Sequence, residues 1–149
     1  MPNVSNSPSA AWNAYIDSWN RHDVEAILAH VTDDFIYDER PMTMTQPLVG
    51  KQAFRQYLEP LFARMPGFAI ALKHTHESGH VGWSESEMTA RIPISVAGIK
   101  LGVSQLQARV ACAFEVYEGK LSMERLYWDK AGVLKSLGRL PSLLWAIHK

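Results

Sequence analysis

The apolar positions of this chain change period once, from helical to strand-like, near Phe68. Before that point Trp12, Tyr15, Ile16 and Trp19 recur at three- and four-residue spacing, which places them on one face of a helix. Ser7 followed by Pro8 supplies its N-cap and a proline at the first helical position. Asn20-Arg21-His22 breaks the pattern, and Asp23 caps a second short helix with the stripe Val24, Ile27, Leu28 and Val31. The two helices should pack as a hairpin. A short strand, Phe35 to Glu39, is followed by Pro41 and Pro47, which cannot hold ladder bonding and predict a loop up to Gly50. From Lys51 the positions Phe54, Tyr57, Leu58, Leu61, Phe62 and Met65 are helical again. Pro60 inside this run predicts a kink near Glu59, and Pro66-Gly67 closes it.

After Phe68 the period is two. Phe68, Ile70, Leu72, His74 and His76 share a strand face, and Ser78-Gly79 makes a turn. From His80 to Ile94, Val81, Trp83, Glu85, Glu87, Thr89 and Arg91 alternate with Gly82, Ser84, Ser86, Met88, Ala90 and Ile92. A loop through Ala97-Gly98 leads to a strand over Ile99 to Tyr117, where Leu106, Ala108, Val110, Cys112, Phe114 and Val116 form an almost wholly apolar face. Gly119, in Glu118-Gly119-Lys120, can take the positive φ of a tight hairpin turn. The outgoing strand puts Leu121, Met123, Arg125, Tyr127 and Asp129 on one face and Ser122, Glu124, Leu126 and Trp128 on the other. Polar groups on both faces suit a strand that borders a cavity. A helical pattern over Lys130 to Gly138 follows, then an apolar tail helix from Pro141 with Leu143, Leu144, Trp145 and Ile147. Helices first and antiparallel strands afterwards predict an α+β fold, a curved sheet with helices against its concave face, enclosing a cavity.

Composition narrows the function classes. The 149 residues suit one domain, 1–149, with residues 1–7 flexible. Lys plus Arg equals Asp plus Glu at 15 each, so no basic field attracts nucleic acid or a membrane surface. The single cysteine, Cys112, reads as a small buried hydrophobe in a reducing compartment. The N-terminal residues lack a signal-like apolar region, and no apolar run approaches the ~20 residues needed to span a bilayer. A cytoplasmic protein is expected. No Gly-rich phosphate loop, nucleophile elbow or exposed Cys–His arrangement occurs, so no cofactor is implied.

The residues that carry candidate chemistry are few. Asp129 falls where a strand ends and a helix begins, which suits either an N-cap or a pocket-lining acid. His74 shares its face with Phe68, Ile70 and Leu72 and points to core or pocket. Tyr37 combines an apolar body with a hydroxyl. His74-x-His76 has no third ligand fixed by spacing, so no metal is expected. The long strands leave a broad second sheet face, which predicts a homodimer.

Phe114, Glu118-Gly119-Lys120-Leu121, Arg125 and Tyr127-Trp128-Asp129, together with the order of elements, resemble the nuclear transport factor 2-like superfamily. Within it the chain is similar to SnoaL-like polyketide cyclases and limonene-1,2-epoxide hydrolases. The resemblance implies a cone-shaped α+β barrel and pairing through the sheet. It implies Asp129 as proton donor and acceptor in an aldol-type ring closure, with His74 or Tyr37 as partner. Trp19, Phe54, Trp83, Glu85, Phe114 and Tyr127 would line the pocket. Tyr37 and Glu39 fall where the hydrolases carry a tyrosine and an asparagine that position water. Their Asp-Arg-Asp triad would end at Asp129, but its Arg-x-Asp stretch falls on Glu85-Ser86-Glu87, without the arginine. The expected function is cofactor-independent acid–base chemistry, as cyclase, isomerase or lyase, on a lipophilic carbonyl compound. The alternative is a non-catalytic ligand-binding or accessory domain, and the third reading is an epoxide hydrolase.

Overall fold

A computed structural model describes residues 7–40, 46–96 and 99–136. The elements run α1 (Pro8–Asn20), α2 (Val24–Ala29), β1 (Val31–Arg40), β2 (Leu48–Val49), α3 (Lys51–Arg64), β3 (Ala69–Ser78), β4 (Val81–Val96), β5 (Ile99–Tyr117), β6 (Lys120–Trp128) and α4 (Lys130–Ser136). The two helix starts are capped as the sequence requires. The Ala10 N–H donates to Ser7 Oγ at 3.1 Å, and the Ala26 N–H donates to Asp23 Oδ1 at 3.0 Å, each satisfying a donor that the first turn leaves free. Gly119, at φ 77°, makes the β5–β6 turn.

Six strands form one curved, unclosed sheet in the order β2-β1-β6-β5-β4-β3. All pairings are antiparallel except β1 with β6, which is parallel. The sequence reading expected antiparallel strands throughout and a shorter β1. Helix α3 runs unbroken through Pro60. Pro60 lacks the N–H that would bond the Gln56 carbonyl, but both residues are exposed, so water can satisfy that oxygen. Residues 41–45 of the Pro41 to Gly50 loop, the Ala97-Gly98 loop and the tail from Pro141 lie outside the described residues.

The helices cover the concave face, where α1 contributes Trp12, Tyr15, Ile16 and Trp19 and α3 contributes Phe54 and Leu58, all buried. Asn20 fixes the end of α1 to the edge strand β3: its Nδ2 donates to the Ile70 carbonyl at 2.9 Å, and its Oδ1 accepts from the Ile70 N–H at 2.7 Å. The side chain thus serves as a short extra strand and blunts part of that edge. Trp12 stacks on Phe114 with ring centroids 4.4 Å apart and planes 1° from parallel. Gly82, the register partner of Phe114, makes that stack possible. A Cβ at Gly82 would run into the Phe114 ring and lie 2.8 Å from the His76 carbonyl oxygen. Gly82→Ala should therefore destabilise the fold by about 1–3 kcal/mol through overpacking. Chemical denaturation of the two proteins measures it.

Candidate active site inside the cone

Register sorts the side chains of the sheet into rows. On the concave face one row holds Tyr37 of β1, Glu124 of β6, Phe114 of β5 and Gly82 of β4. The next holds Glu39, Leu126, Cys112 and Ser84. Strand β6 therefore points Glu124 inward with Leu126 and turns Met123, Arg125 and Tyr127 to the convex side.

Glu124 is 4% exposed. The Tyr15 hydroxyl, from α1, donates to its Oε2 at 2.6 Å, and the Cys112 thiol lies 3.9 Å from Oε1. Burial, opposed by the Tyr15 hydrogen bond and reinforced by the charge of Glu39, pushes the Glu124 carboxyl up to about 8. The Cys112 thiol is driven well up by burial and then by the Glu124 and Glu39 charges, so it is no nucleophile at neutral pH.

Glu39, at the end of β1, is half-buried and gathers three further polar side chains. Its Oε2 accepts from the Tyr57 hydroxyl at 2.7 Å and its Oε1 from the Trp128 indole N–H at 2.9 Å. Tyr37 Oη lies 3.4 Å from the same Oε2 and 3.3 Å from Tyr57 Oη, so its single hydrogen can serve either. Burial raises both phenols well above their ordinary values, and the Glu39 charge adds to it. They remain donors at any physiological pH. Two carboxyl groups thus share the interior in different environments, one deep and protonated, the other held by neutral donors near the end of the strand.

The residues singled out from sequence divide between the two faces. Tyr37, Phe54, Trp19 and Phe114 lie inside, where Phe54 packs on Tyr37 at 4.9 Å and on Trp19 at 6.1 Å. His74, Trp83, Glu85, Tyr127 and Asp129 do not join them. Trp83 is 46% and Tyr127 51% exposed on the convex face, where Trp83 stacks with His76 at 4.6 Å. His74, Glu85, Tyr127 and Asp129 border an open groove of about 620 Å³ with Lys73, Glu87 and Arg109. Among the described residues Asp129 borders this open groove and not the enclosed apolar cavity expected for it. Asp129 is exposed and caps α4, its Oδ1 accepting the Gly132 N–H at 2.8 Å, so Tyr37 is not its partner. Among the described residues no three His, Cys, Asp or Glu side chains converge as metal ligands, and no helix is long and apolar enough to cross a membrane.

Glu124 and Tyr57 were missed by the sequence reading. Glu124 shares a strand face with Leu126 and Trp128, and Tyr57 shares a helix stripe with Phe54, Leu58 and Leu61. Both signals were visible, but each read equally well as packing.

A family model for the SnoaL-like domain matches residues 12–123. The chain belongs to the SnoaL-like family. No functionally curated protein matches it. Solved structures agree on the fold. IdmH, a proposed polyketide cyclase from Streptomyces antibioticus, superposes with a TM-score of 0.76 at 13% identity, covering 89% of this chain and 99% of its own. AclR, a proposed hydroxylase from Streptomyces galilaeus, gives 0.72 at 16%, covering 90% and 97%. An LEH-like epoxide hydrolase from M. tuberculosis gives 0.71 at 20%, covering 93% and 96%. At these identities they speak for the fold of this SnoaL-like domain and not for its reaction.

Two outcomes follow from the geometry. Asp129→Ala should lower stability by about 1 kcal/mol, the worth of a helix cap, whereas Asp129→Asn, also a good cap, should leave the melting temperature unchanged. Glu124 makes stability depend on pH. Its carboxyl is raised from the ordinary 4.5 to about 8, so the folded state holds the proton more tightly than the unfolded chain. The stabilisation is complete below pH 4.5 and is lost as pH rises toward 8, at no more than about 1.4 kcal/mol per pH unit. Melting temperatures of Glu124→Gln across this window should be flatter than those of the parent and higher at its alkaline end.

Proposed function

We propose that this SnoaL-like domain is a cofactor-independent enzyme that moves protons on a lipophilic carbonyl compound, with Glu124 as its acid–base group. The observation that carries the reading is the deep carboxyl with a value near 8 beside the Tyr37, Tyr57 and Glu39 cluster. At neutral pH about one molecule in ten holds it ionised, and that carboxylate is a stronger base than a solvated one. It takes a proton from the carbon next to the carbonyl, and the enolate oxygen accepts hydrogen bonds from tyrosine hydroxyls. The enolate carbon then attacks a second carbonyl in the same molecule, closing a ring, and the new alkoxide takes the proton back from Glu124. Returned instead to another carbon, the proton completes an isomerisation. Glu39 orients the ligand, because its two shortest bonds come from Tyr57 and Trp128 and fix its position.

The near-complete burial of Glu124 favours a second reading, a ligand-binding domain in which this carboxyl is only structural. Epoxide hydrolysis is less well supported, since no arginine is among the buried residues described and Arg125 is engaged with Asp38 at 2.7 Å. Exchange of α-protons for deuterium on a panel of lipophilic ketones, followed by proton NMR, separates the readings. The enzyme should accelerate exchange with a pH profile that rises toward 8, and Glu124→Gln should lose about 10²–10⁴-fold. Equal exchange in both proteins would leave the binding reading.

The SnoaL-like domain also works as a homodimer through the convex face of its sheet. One row there holds Ile36, Met123, Glu115 and Val81, and the next Asp38, Arg125, Ala113, Trp83 and His76. Small Ala111 and Ala113 lie between Trp83 and Tyr127 in the register, and the large exposed side chains supply apolar area for a partner. Light scattering at micromolar concentration should give a dimer mass for the parent and a monomer mass for Trp83→Glu.

A further inference from the structure

We infer that the ligand of the concave site carries a positive charge, an ammonium group that docks on Glu39 beside Trp128 and Tyr57. The inference rests on the concave face being a ligand site at all. Its starting point is an imbalance of charge. Among the described residues Glu39 accepts hydrogen bonds from Tyr57, Tyr37 and the Trp128 indole, all neutral donors. The lysine and arginine ion pairs of the described residues go instead to Glu25, Asp33, Asp38, Glu59 and Glu87, and none reaches Glu39 or Glu124.

The Glu39 charge is felt across the interior, where it raises Tyr37, Tyr57, Glu124 and Cys112 alike. A half-buried carboxylate with no counter-ion among the described residues repels anionic ligands and is stabilised by a cation. Its neighbours favour the same occupant. The Tyr57 hydroxyl and the Trp128 indole N–H hold the Glu39 carboxylate in place, and Tyr57, Glu39 and Trp128 are all partly open to solvent, so a cation can reach it. Glu124 lies on the neighbouring strand β6, one row deeper than Glu39. A compound anchored at Glu39 by its ammonium would direct its carbonyl portion inward, toward the acid–base group. The substrate class is therefore an amine, protonated or quaternary, that also bears the reacting carbonyl.

Ligand-observed NMR titration with three probes of similar size tests this. The probes are choline, its carbon isostere in which a quaternary carbon replaces the nitrogen, and pivalate. Choline should bind about tenfold more tightly than its isostere, and pivalate should not bind; Glu39→Gln should weaken choline by about tenfold and leave the isostere unchanged. Equal or tighter binding of the isostere, or an unchanged choline affinity in Glu39→Gln, overturns the cation while leaving a ligand site. Binding of none of the three removes the ligand site and the inference together. If Glu39→Gln does not fold, the ratio of choline to isostere in the parent protein decides alone.

Discussion

A carboxyl group on the inner face of a curved sheet can remain there only if it sheds its charge or finds donors for it, and much of this structure is arranged around that constraint at Glu124. The side chain is 4% exposed, and ionising it in such surroundings costs several kcal/mol unless a cation compensates. None does. The protein instead keeps the proton on and satisfies one oxygen with the Tyr15 hydroxyl from α1. That bond ties the first helix to the last strand across 109 residues of sequence. It sits within the same aromatic layer that stacks Trp12 on Phe114. Chemistry and packing therefore share residues, and a change at either is felt at the other.

The two faces of β6 carry different charge arrangements. On the convex side the Asp38 carboxyl is raised by burial, but Arg40 and Arg125, bonded to it at 2.8 and 2.7 Å, outweigh that and hold it below its ordinary range. On the concave side Glu124 and Glu39 have no such partners among the described residues. Where arginines are supplied, a buried acid is locked as an anion and becomes structural. Where only a phenol and a thiol reach the carboxyl, as at Glu124, the acid keeps a labile proton. This contrast between register neighbours, Asp38 with Arg125 and Tyr37 with Glu124, puts an ion pair on the outer face of the sheet and a buried acid on the inner one.

Much of the fold was legible because it is written locally. Ser7 and Asp23 announce their helices as caps, Gly119 announces its turn, and the period-two stretches place β3 to β6 within a few residues. The parallel pairing of β1 with β6 was not legible, since nothing local encodes which distant strand becomes a neighbour. The site failed for a related reason. Asp129 and Glu124 are both acids on one strand end, and the five-residue offset between them puts them on opposite faces. Leu126 and Trp128 share the face of Glu124, but Leu121 and Met123 share that of Asp129, so composition could not decide which face is inner. The neighbours decide it: Tyr37 and Phe114 flank Glu124 in the sheet, while Asp129 turns back onto the Gly132 amide of its own helix. Tyr37 was singled out for its aromatic body and hydroxyl as a partner of Asp129; it is buried inside, away from Asp129.

The central claim is that the concave face holds a carboxylic acid protonated at neutral pH. Titration of the Glu124 carboxyl carbon by NMR, in protein labelled at the glutamate side-chain carboxyl and assigned with Glu124→Gln, tests it without knowledge of any substrate. The account predicts a single resonance that stays in the protonated position through neutrality and titrates at about 8. A carboxyl already ionised at pH values near the ordinary 4.5 would contradict it.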